Sequence, residues 1–75
     1  MIIRAVSTLG LKCPRPLIEV HRNIRAMQRG EALEVTADDP AFLLDIEAWC
    51  RRTGHTLMSI EHHSEQIIAV IRKET

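Results

Sequence analysis

Cys13 stands directly after Lys12 and directly before Pro14-Arg15-Pro16, a thiol set between a cation and a proline pair. A cysteine does chemistry as its thiolate, and a helix N-terminus or a nearby cation eases formation of that anion. Proline inside a helix removes a hydrogen bond and clashes with the preceding turn, whereas in the first turn its missing N–H costs nothing. Pro14 and Pro16 therefore mark a helix start, with Pro14 as the first helical residue and Cys13 at the N-cap. Cysteine caps less well than Ser, Thr, Asp or Asn, so its place there points to reactivity. Lys12 and Arg15 flank the sulfur, and together with the helix end they are expected to lower its pKa, while the prolines stiffen the loop that presents it.

Other residues compete for attention. Cys50 shares an apolar stripe with Ile46 and Trp49 and reads as a buried structural thiol, the sharper alternative being a resolving partner for Cys13. His62 and His63 are adjacent and so point apart on a strand, and Cys13 and Cys50 are too far apart in sequence for a short-spaced zinc pattern, so no metal site is expected. His55 reads as a hydrogen-bonded loop residue. Arg15, Arg22 and Arg29 recur every seven residues with Arg25 between them, a basic ridge along the helix that follows Cys13. Such a ridge is either a solvated face or a docking face for a protein partner.

Positioning these groups falls to a short series of elements. Ile2 to Val6 reads as a strand broken at Gly10. Leu17, Val20, Ile24 and Met27 recur at spacings of three and four, an amphipathic helix closed at Gly30. Leu33, Val35 and Ala37 alternate with Ala32, Glu34 and Thr36, so the first three face a core from a half-buried strand. Asp39-Pro40 supplies an N-cap and a first helical proline for a second helix, whose stripe is Phe42, Ile46, Trp49, Cys50 and Thr53 and whose stop is Gly54. Thr56 to Glu61 and Gln66 to Ile71 read as strands joined by the turn His62-His63-Ser64-Glu65. The order βαβαββ, with no repeat or linker, implies one α+β domain over residues 1–75: a two-layer sandwich with both helices on one face of a four-stranded mixed sheet.

Composition bounds the function. A chain of 75 residues buries only about 60 to 65% of its unfolded surface, so no separate cofactor domain fits. No apolar run approaches the roughly 18 residues that span a bilayer, and Met1 leads into Ile2-Ile3-Arg4 with no signal-like region, so a cytoplasmic protein is expected. Two cysteines are too few for a stapled secreted domain of this size. Net charge is zero, yet residues 1–30 carry six bases against one acid and residues 31–75 four bases against nine acids. Phe42 and Trp49, the only aromatics, fall on the second helix's apolar stripe, which leaves no exposed stacking residues for direct nucleic-acid binding.

Gly10-Leu11-Lys12-Cys13-Pro14-Arg15-Pro16, then Gly30-Glu31-Ala32-Leu33-Glu34-Val35, Asp38-Asp39-Pro40-Ala41, Asp45-Ile46, Trp49-Cys50, Thr53-Gly54-His55 and the closing Ile71-Arg72-Lys73 resemble the TusA (SirA-like) sulfur-carrier family in order and over nearly the whole chain. The resemblance implies a βαβαββ sandwich that carries sulfur as a persulfide on the cysteine of a Cys-Pro-x-Pro motif, here Cys13. It implies no metal, nucleotide or organic cofactor. Its partners would be a sulfur-donor protein, either a cysteine desulfurase or a rhodanese, and a thiol-bearing acceptor protein. The routes served are tRNA thiolation, molybdenum-cofactor maturation or sulfur oxidation. Two positions depart from the family's habit: Ser7 stands where an aspartate is frequent, and Arg15 where the tRNA-thiolation members have glutamate. On this reading the protein is a monomeric sulfurtransferase-type carrier supported at Cys13 by Lys12, Pro14, Arg15 and Pro16, with Arg22, Arg25 and Arg29 as docking residues. The alternative from the residues alone is a small regulatory domain with Cys13 as a redox sensor.

Overall fold

A computed structural model describes residues 2–75, the side chain of Ile3 excepted; the reading of Met1 lies outside them. The elements are β1 (Ile2–Ser7), α1 (Arg15–Arg25), β2 (Ala32–Ala37), α2 (Phe42–Thr53), β3 (Thr56–His63) and β4 (Gln66–Arg72). The four strands form one sheet in the order β1-β2-β4-β3. β1 and β2 are parallel, with Val6 opposite Val35, and β4 runs antiparallel to both β2 and β3, with Ala69 between Val35 and Ile60. The expected mixed sheet and βαβαββ order are both present.

Period two in the strands and the 3.6-residue period in the helices bring one apolar face of each layer together. Leu33, Val35 and Ala37 face inward from β2 as their alternation requires, and Ile67, Ala69 and Ile71 do so from β4. Val20 and Ile24 of α1 and Phe42, Ile46, Trp49 and Cys50 of α2 close the layer above them. Each helix returns antiparallel to the strand before it. Both helix N-termini therefore lie at the carboxyl ends of β1 and β2, and both C-termini at the other end of the sheet.

Several boundaries differ from the sequence reading. α1 ends at Arg25 rather than running to Gly30: the amides of Ala26 and Met27 bond back only three residues, to Asn23 and Ile24, which tightens and stops the helix. Met27 nevertheless stays buried. α2 starts at Phe42 with Ala41 as its N-cap, because Asp39 and Pro40 form a turn ahead of it. Gly54 stops α2 as expected, at φ 86°, with its N–H donating to the Cys50 carbonyl. His62 and His63 belong to β3, so the hairpin turn is only Ser64-Glu65, with Ser64 at φ 60°.

Candidate functional site

Cys13 lies at the sheet end where both helices begin, in the loop from β1 to α1. Thr8 anchors the start of that loop: its N–H and Oγ1 both donate to the Thr36 carbonyl, at 2.7 and 2.9 Å, and its own carbonyl accepts from Leu11 N–H. The loop's polar groups find their other partners in the β2–α2 connection. Gly10 N–H donates to the Asp38 carboxylate at 3.0 Å, and Cys13 N–H donates to Asp39 Oδ2 at 2.7 Å. The second oxygen of Asp39 accepts from Ala41 N–H at 3.1 Å. Asp39, only 7% exposed, thus ties the cysteine backbone to the start of α2. These two amides, with the Lys12 charge, hold its carboxyl below the usual carboxylate range.

The helix begins one step later than expected. Pro14 is the N-cap, its carbonyl accepting from Leu17 and Ile18 N–H, and Arg15 and Pro16 are the first helical residues. Pro14 brings no N–H to the turn, and its φ of −97° and ψ of 11° lie outside the helix. Cys13 therefore precedes the cap, joined to Pro14 by a cis peptide, with its thiol exposed. Pro16 is buried, and Lys12, Pro14 and Arg15 are exposed around the sulfur.

The electrostatics correct a second expectation. The Cys13 thiol is raised, not lowered, from its ordinary value: hydrogen bonding with the Asp45 carboxylate leads, followed by partial desolvation and the negative charges of Asp45 and Asp39. Lys12 and Arg15 stand beside Cys13 in sequence, but the Lys12 charge acts on Asp39, and the groups that act on the thiol are Asp45 in the first turn of α2 and Asp39 ahead of it. Sequence reasoning missed Asp39 and Asp45 as neighbours of the sulfur and Asp38 as an anchor of its loop. The signal was a pair of acids before a proline at a strand–helix junction, which faces the β1–α1 loop in a βαβ unit with parallel strands.

Cys50 is 5% exposed, and burial pushes its thiol up to about 11. It is a core side chain, as its stripe implied. The basic ridge is shorter than its seven-residue spacing suggested: Arg15, Arg22 and Arg25 are on α1, whereas Arg29 lies in the turn beyond it. Arg22 meets Glu19 at 3.4 Å, and Ile18, 49% exposed, shares a shallow surface with His21, Arg22 and Arg25. No helix among the described residues is long and apolar enough to cross a membrane, and no three of their His, Cys, Asp or Glu side chains gather as metal ligands.

Residues 4–73 match the family model described as sulfurtransferase TusA, nearly the whole chain. The chain belongs to the TusA family. The family suggests a sulfur-carrier role, as a relay component that interacts with other proteins. A solved SirA-like protein from Desulfitobacterium hafniense superposes with a TM-score of 0.83 over 97% of this chain and 100% of its own, at 18% identity, which establishes the shared TusA-family fold.

Proposed function

We propose that this TusA-family chain is a cytoplasmic carrier that accepts sulfane sulfur as a persulfide on Cys13 and relays it to an acceptor thiol. The observation that carries the reading is the exposed Cys13, held by its backbone against Asp39 at the one sheet end where both helices start. A side chain placed there can meet a partner's cysteine without opening the core. In the loading step Cys13 sulfur attacks the terminal sulfur of a donor cysteine persulfide. The Cys13–sulfur bond forms as the donor's S–S bond breaks, and the thiol proton of Cys13 passes to the departing donor thiolate, so no oxidant or reductant is consumed. Unloading is the same exchange with the acceptor thiolate attacking the outer sulfur.

Because Asp45 and Asp39 disfavour the Cys13 thiolate, its formation is eased where a partner's cations offset those carboxylates. Lys12, Arg15, Pro14 and Pro16 shape the loop, and Arg15, Arg22 and Arg25 with Ile18 form the docking face for a partner with acidic groups around an apolar centre, Arg29 extending it beyond the helix. The donor is a cysteine desulfurase or a rhodanese, and the sulfur is destined for tRNA thiolation, molybdenum-cofactor maturation or sulfur oxidation. A stand-alone redox sensor fits less well, since sensor cysteines have depressed pKa values.

Intact-protein mass spectrometry after incubation with a cysteine desulfurase and cysteine, or a rhodanese and thiosulfate, tests the assignment. The expected result is one added sulfur, removed by reductant, in wild type and Cys50→Ser and absent in Cys13→Ser. A Cys13→Ser protein that still gains sulfur overturns it.

A further inference from the structure

The sheet end opposite Cys13 carries a second concave surface. A groove of about 420 Å³ runs between the C-terminal halves of the two helices and the chain after β4, within the range of small-molecule sites, roughly 300–1,000 Å³. Its apolar floor is Ile24 and Trp49, and His21, Arg25, His55 and Lys73 converge on it from α1, the α2–β3 loop and the segment after β4. No acidic side chain is among its described lining residues. The nearby Glu74 is turned to other duty: its carboxylate takes the Thr56 hydroxyl and Arg72 Nε, the latter at 2.8 Å.

His55 is oriented for donation. Its ring lies 5.5 Å from that of Trp49, and its Nδ1 accepts the Glu74 backbone N–H at 3.1 Å. The neutral ring must then carry its proton on Nε2. Desolvation first, and the charge of Lys73 next, lower its pKa and favour that neutral donor. Lys73 spends one donor on the Met27 carbonyl at 2.6 Å, which fixes its ammonium at the groove and leaves two donors over. Arg25 adds an exposed guanidinium, the group best shaped for a bidentate oxyanion.

We propose that this groove binds an oxyanion group, phosphate- or sulfate-like, with Arg25 and Lys73 supplying charge and His55 a neutral N–H. The volume leaves room for a small organic body on the apolar floor. The groove lies toward the C-terminal end of α1, away from the Cys13 loop at its N-terminal end, and shares Arg25 with the face proposed for docking.

Trp49 is the only tryptophan and lines the groove, so its fluorescence reports occupancy. Sodium sulfate and phenyl phosphate are titrated at constant ionic strength into wild type, Arg25→Gln, Lys73→Gln and Arg51→Gln, the last lying outside the groove. The expected result is a saturable change weakened about tenfold or more in Arg25→Gln and in Lys73→Gln and unchanged in Arg51→Gln. Comparable affinity for both probes identifies a free oxyanion as the ligand, and tighter phenyl phosphate identifies an oxyanion on an organic body; either supports the site. A non-saturable response, or equal weakening in Arg51→Gln, overturns it. Arg25→Gln removes an exposed side chain, so its thermal transition confirms folding independently.

Discussion

Cys13 combines an exposed side chain with a thiol harder to ionise than a free cysteine, and the two facts trace to different residues. Exposure comes from the loop ahead of α1, and the raised pKa from Asp45 and Asp39. Removing the Asp45 carboxylate in Asp45→Ala therefore lowers the Cys13 pKa and speeds its alkylation by iodoacetamide several-fold near neutral pH, a rate measured across pH. Cys50, with its thiol at about 11 and its side chain buried, is expected to label only after denaturation; counting alkylated thiols by mass with and without denaturant checks this. Asp39 adds an acid-side dependence. Its folded pKa is depressed, so the stability it lends is complete above the ordinary aspartate value of about 3.9 and is lost as pH falls through the lower folded value. Asp39→Ala flattens that limb of the pH–stability curve and frees the Cys13 amide, which appears as faster amide exchange at residue 13.

At the scale of elements the fold rests on two helix stripes laid on one sheet face. Ile46, fully buried in α2, is a large-to-small site: Ile46→Ala costs about 2 to 5 kcal/mol, read from urea unfolding. That is a large share of the stability of a domain this small, about 4 to 11 kcal/mol at typical values per residue. Gly54→Ala tests the helix stop differently. A Cβ there meets no atom within 4 Å, so the cost of about 1 to 2 kcal/mol comes from the left-handed backbone alone. The strands and stripes were legible because periodicity reports directly on burial: Leu33, Val35 and Ala37, and Phe42, Ile46, Trp49 and Cys50, all face where their spacing sends them. The helix starts were less legible, since Pro14 and Pro40 each signal a start without saying whether they serve as cap or turn. Neighbours of Cys13 were least legible: Lys12 and Arg15 are adjacent in sequence, whereas Asp39 and Asp45 reach the sulfur only through the fold.

Across the whole molecule, the sheet has its last strand in the middle. β2 and β3 touch β4 on either side and not each other, while β1 attaches to β2 alone. During synthesis the first 65 residues can form both helices and the parallel β1–β2 pair, but β3 has nothing to pair with and β2 keeps an open inner edge. Closing the sheet requires residues 66–72, so the sulfur loop, whose anchors sit on β2 and the turn after it, rests on a platform that is incomplete without the last strand.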